Sequence, residues 1–130
     1  MGVTLMASPG PRPSLDAWLA EIKASGNIDG IGMYLVHNGV VRGYSRDGRP
    51  VSGMVLSVDR ERLTEIMVSA KLMEGVGAVR TWVNEGELSV GDDIMYVLVA
   101  GDIRENVFGA LQAIVKMVKT EVVTEVELRP

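Results

Sequence analysis

The sequence predicts an α+β fold, a single domain in which a mostly antiparallel sheet packs with about three helices. Three observations carry that prediction. Apolar residues recur at helical spacing in three separate stretches, runs rich in Val, Ile and Tyr lie between them, and the links between neighbouring strands are short and bear glycine. At 130 residues, 47% of them hydrophobic, the chain is long enough to bury one core without covalent staples.

Residues 1–13, with Pro9, Pro11 and Pro13 interrupting any helix, read as a flexible arm, so the folded domain is expected over 14–130. Ser14 caps a first helix whose Leu15, Trp18, Leu19 and Ile22 share a face and which Gly26 ends. A strand follows from Gly30 to Val41, with a bulge expected near Gly39. Gly43 to Pro50 is a loop turning at Asp47-Gly48, and Val51 to Val58 is the next strand. Asp59 caps a second helix whose core stripe is Leu63, Ile66, Met67, Ala70 and Met73, with Gly75 as its stop. Val76–Val83 and Asp93–Ala100 read as two strands joined by a turn over Asn84 to Asp92. Asp102, with Glu105 three positions later, forms the N-cap signature of a third helix that Lys116 and Lys119 close. Val122 to Leu128 alternates as a final strand.

Composition removes several functions. With no cysteine, the chain has no disulfide framework, no thiolate metal site and no cysteine nucleophile, so any sulfur chemistry needs a donor from outside. A formal charge of −4 argues against a general nucleic-acid surface, which rests on clustered lysines and arginines. No apolar run approaches a membrane span, Met1 to Arg12 lacks the features of a signal peptide, and a cytoplasmic location is expected.

Three cations stand out. Arg104 sits in the first turn of the third helix, the wrong end for a cation by the helix dipole, yet a useful one where an anion docks on free backbone N–H groups. Arg42, followed by Arg46 and Arg49, could form a small anion-binding rim; the alternative is a solvated polar turn. Lys119 is either a site residue or an ordinary helix-end cation. Other features read as structural. The only histidine, His37, makes a poor metal site by itself, and no metal and no cofactor are assigned. Gly30-x-Gly32 lacks the third glycine of a dinucleotide fingerprint, since Leu35 stands there. Methionines such as Met33, Met54, Met67, Met73 and Met95 fall in apolar patterns and suit core packing. Glu121, Glu125 and Glu127 could form a carboxylate site, yet alternating with valines they read more simply as the solvent face of an edge strand.

Three segments in order, Gly39-Val40-Val41-Arg42-Gly43, Gly86-Glu87-Leu88-Ser89-Val90-Gly91-Asp92, and Arg104 with Phe108, Ala110 and Lys119, resemble the large, catalytic subunit of molybdopterin synthase over about residues 28 to 120. The resemblance implies that subunit's fold. It also implies a place in molybdenum cofactor biosynthesis as a sulfur transferase, moving two sulfurs from the C-terminal thiocarboxylate of a small ubiquitin-like partner subunit to cyclic pyranopterin monophosphate. By the same resemblance Lys119 is the catalytic lysine, and Arg42 and Arg104 hold the anionic pterin substrate.

The chain also departs from that pattern. Val83 and Asn84 replace a His-Arg pair, Ile103 replaces a histidine before the helix arginine, and Val126 stands where the family has a second lysine. Unit charges 4 Å apart interact by roughly 4 kcal/mol at an effective dielectric of about 20, so losing a cation there could weaken phosphate binding by orders of magnitude unless Lys116 substitutes. A rival function follows: a catalytically degenerate paralogue serving as a pterin-binding or protein-interaction module. Fifteen helical positions separate Arg104 from Lys119, about 22 Å of rise, so one small pterin cannot easily reach both in one chain. A twofold homodimer whose clefts combine Lys119 of one chain with Arg104 of the other is therefore expected, as a dimeric family implies.

Overall fold

The structure is a computed structural model that describes the backbone of residues 5–8 and residues 10–130 in full. Its elements run β1 (Leu5–Ser8), α1 (Leu15–Lys23), β2 (Met33–Val40), β3 (Gly53–Val58), α2 (Arg60–Ala70), β4 (Val76–Val83), β5 (Gly86–Ser89), β6 (Asp93–Gly101), α3 (Arg104–Met117) and β7 (Val123–Leu128). The strands form two sheets, a four-stranded one in the order β1-β4-β6-β2 and a three-stranded one in the order β5-β3-β7. Every pairing is antiparallel except β1 on β4. The α+β class with three helices therefore holds.

Two layers of side chains explain the long apolar runs. On one face of the larger sheet, Trp18 and Ile22 of α1 pack with Ala78, Trp82, Tyr96, Leu98 and Ala100. On the other, Val79, Val83, Met95, Val97 and Val99 meet Leu63, Ile66 and Met67 of α2, Val107 and Ile114 of α3, and Met54, Leu56 and Leu88 of the smaller sheet. Successive strand residues point to opposite faces, so β6, covered on both, must be apolar throughout. One charge is buried among them: Arg80 of β4, 3% exposed, approaches Glu21 of α1 at 3.8 Å.

Local signals place most boundaries. Ser14 Oγ accepts from Ala17 N at 3.1 Å and Asp59 Oδ1 from Arg62 N at 3.0 Å, the side-chain caps expected of α1 and α2. The register of β2 shifts between Gly39 and Val40, the anticipated bulge. Gly32 is glycine for a packing reason, because a Cβ there would lie 2.2 Å from the carbonyl oxygen of Asp102.

Four expectations change. The arm expected over 1–13 contains a strand, β1, and the segment after it is tied down: Trp82 Nε1 donates to Gly10 O at 2.9 Å, and Arg12 meets Asp93 at 3.0 Å. Residues 1–4 and 9 lie outside the described residues. The turn expected between β4 and β6 holds the short strand β5, which pairs with β3 in the other sheet. Asp102 is not the N-cap of α3. Ile103 is, with no side-chain cap bond, while Asp102 Oδ1 accepts from Ile103 N and from Asn106 Nδ2. Finally, α3 stops at Met117, and a π-helical turn over Val118–Val122 carries Lys119 into β7.

Candidate functional site

An open cleft of about 780 Å³ lies where the bulged end of β2, the 42–51 loop, the π turn and β7 converge. Val40, Ile94 and Met54 form apolar wall, and Arg42, Arg46, Arg49, Lys119, Asp47, Glu125 and Glu127 supply the charges. Two of the three residues expected in a site, Arg42 and Lys119, thus face one cleft. The third, Arg104, opens α3 at the opposite end of that helix and does not line it.

Each side chain is placed by local structure. The π turn widens the helix by one residue just before β7, and such turns re-aim side chains where a regular helix would not. Lys119 Nζ comes within 3.8 Å of Glu125 Oε2. Glu125 and Glu127 are exposed, as expected of an edge strand, and they also line the open cleft. Register pairs them with Leu56 and Met54, whose side chains are buried, so both carboxylates turn inward to the cleft, whereas Val126 pairs with Val55 and is 54% exposed. Glu121 lies before the strand and holds Arg62, with Oε1 2.9 Å from Nε. The edge position of β7 is as expected, and the difference is that Val126 is exposed along with the glutamates.

The loop is tightly built. Gly48 N donates to Ser45 O at 2.9 Å and Ser45 N to Arg49 O at 2.9 Å, and Gly48 takes the positive φ of 86° that such a turn requires. Asp47 is its hub, accepting from the Ser45 hydroxyl, from Arg49 N at 3.1 Å and from Arg49 Nε at 2.7 Å. The hydrogen bond from Ser45, then those from Arg49, hold the Asp47 carboxyl well below the usual carboxylate range. A carboxyl with a lowered folded-state pKa stabilises the fold above its unfolded value, near 3.9, and that contribution fades as pH falls toward the lowered one. Asp47→Asn should therefore lower Tm by a constant amount from about pH 7 to 5, with the gap from wild type closing below about pH 4. Thermal melts across that range read it, and a gap that widens in acid would contradict the assignment.

His37 stands on β2 beside this cluster, half-buried. Burial first, and then the positive charge of Lys119, push its imidazole below the ordinary value, so it is neutral at pH 7. Lys116 is exposed and does not line the cleft, so it does not replace a missing cation there. The other departures have structural occupations. Val83 is core, Asn84 Nδ2 donates to Asp93 O at 3.0 Å, and Ile103 is 54% exposed at the head of α3. Glu125 and Glu127 line the cleft beside Arg42 and Lys119, a convergence that residue-by-residue reading did not give them. The signal that could have found them was the pairing register of β7, which no local pattern reports.

The fold and cleft stand in a chain of which residues 14–121 match the MoaE protein family. The chain belongs to the MoaE family. Similar solved structures include molybdopterin synthase from Staphylococcus aureus, with a TM-score of 0.70 at 14% identity, covering 100% of this chain and 93% of that one. The molybdopterin biosynthesis MoaE protein from Burkholderia ambifaria MC40-6 aligns with a TM-score of 0.70 at 21% identity, covering 97% and 88%. A complex of subunits 1 and 2 of the molybdopterin-converting factor from Helicobacter pylori 26695 aligns at 0.67 and 14%, covering 96% and 84%. No curated protein matches the sequence. Among the described residues no helix is long and apolar enough to cross a membrane.

Proposed function

We propose that this chain acts in molybdenum cofactor biosynthesis as the large subunit of a molybdopterin synthase, receiving sulfur from the thiocarboxylate tail of a small partner subunit and passing it to cyclic pyranopterin monophosphate. The observation that supports this most directly is the convergence of Arg42 and Lys119 on one cleft from segments 77 positions apart in sequence, within a member of the MoaE family. Arg42 is the anion contact and Lys119 the residue beside the incoming thiocarboxylate. Arg104, outside its own chain's cleft, serves the cleft of a second copy in a twofold dimer. The Helicobacter pylori structure, a complex of two subunits of the converting factor, supports a heteromeric partner.

The reaction is run slowly. Lys119 faces Glu125 where the family places a cation nearby, and the imidazole and guanidinium expected at 83, 84 and 103 are absent. Those observations favour the second reading, a degenerate paralogue that binds pterin or a ubiquitin-like tail without turnover. Reconstitution separates the two. Purified chain mixed with thiocarboxylated small subunit and cyclic pyranopterin monophosphate should give molybdopterin at a rate well below that of a family member bearing both lysines. No product at any enzyme concentration, with pterin binding intact, would establish the paralogue instead.

A further inference from the structure

The cations of the cleft differ in what they already hold. Arg49 is taken by Asp47 at 2.7 Å and Lys119 faces Glu125 at 3.8 Å. Glu127, the remaining carboxylate of the lining, is taken from outside by Arg129 at 3.2 Å. Arg42 and Arg46 alone among the cleft's cations have no ion pair or hydrogen bond among the described residues. Every carboxylate in the cleft is thus matched, and two guanidinium groups are left over.

We infer that Arg46 is a second substrate-binding residue, which with Arg42 grips the phosphate of the pterin; this rests on the pterin reading above. Position 46 is one of the two central residues of the Ser45–Gly48 turn, and the bonds around Asp47 fix the backbone on both sides of it. Arg129 Nη1 adds a bond to Pro50 O at 2.9 Å, pinning the loop's far end to the tail of β7. A guanidinium on a rigid turn loses less freedom on binding than one on a mobile loop. Chemistry suits the pair. A cyclic phosphate is a diester with one negative charge spread over two free oxygens at neutral pH, and planar guanidinium forks match that pair of oxygens. With Val126 facing away from the cleft and Lys116 outside it, Arg46 is the lining cation positioned to supply the charge that those residues do not.

Calorimetric titration with cyclic pyranopterin monophosphate tests this. Arg46→Ala should weaken binding about 10- to 100-fold, the range for a charge-assisted hydrogen bond to phosphate. Arg46→Lys should recover only part, because a point charge lacks the fork, and Lys23→Ala, at the C-terminal end of α1, should bind as wild type. Circular dichroism checks that each variant is folded. If Arg46→Ala binds normally while Arg42→Ala does not, the inference fails and the pterin reading stands. If wild type ignores the pterin but binds inorganic phosphate in an Arg46-dependent way, the anion site survives and the pterin reading fails. Binding of neither overturns both.

Discussion

Lys119→Ala should lower molybdopterin formation by about 100- to 10,000-fold, the range for removing a side chain that acts in a reaction's proton transfers. Stability should barely move. Lys119 and its partner are both partly exposed at 3.8 Å, and such pairs contribute about 0–1 kcal/mol. The same variant also tests the shared cleft. If Arg104 of one copy completes the site of the other, Arg104→Ala is similarly impaired alone, yet mixing the two variants repairs one cleft in each mixed dimer. Random reassortment makes half the dimers mixed, so about a quarter of wild-type activity should return. Co-refolding the two chains and assaying turnover measures it. A mixture as inactive as its components would remove Arg104 from the site and leave each cleft to its own chain.

Trp82→Ala should destabilise the protein by about 3–5 kcal/mol, a large share of the roughly 5–15 kcal/mol typical of a folded domain. Trp82 is 2% exposed on the α1 face of the large sheet. Its ring centroid lies 5.1 Å from that of Tyr96, which in turn meets Trp18 of α1 edge-on at 6.3 Å. Truncation opens a cavity in the smaller of the two apolar clusters, breaks that aromatic chain and leaves the Gly10 carbonyl without its indole donor. Urea unfolding followed by fluorescence reports the change as a lower midpoint at unchanged slope. A loss under about 1 kcal/mol would mean that α1 docks on the sheet without contributing to its cooperative stability.

Much of the fold was legible because its signals are local. Ser14 and Asp59 cap helices through hydrogen bonds that span three residues, and the apolar stripes of α1 and α2 follow from helical periodicity. The exceptions involve partners distant in sequence. Gly86–Ser89 has a single buried residue, Leu88, and becomes a strand only because β3 lies alongside it. Asp102 carries the capping chemistry one position too early: its carboxylate accepts from Ile103 N and Asn106 Nδ2, while Ile103 takes the cap without a side-chain bond.

By itself the sequence determined the composition of the core, the helices, the family resemblance and the cations that meet in the cleft, Arg42 with its neighbours Arg46 and Arg49 and Lys119, since each depends on residue type and spacing along the chain. Only the tertiary structure decided which charges face one another. A strand's faces alternate with every residue, so the direction in which Glu125 and Val126 point depends on the pairing of β7 with β3, not on their own order of polar and apolar. That register turns Glu125 toward Lys119 and Val126 toward solvent, and the hydrogen bonds of Asp47 occupy Arg49 while leaving Arg46 free. The electrostatics of the cleft are a property of contacts between segments far apart in the chain.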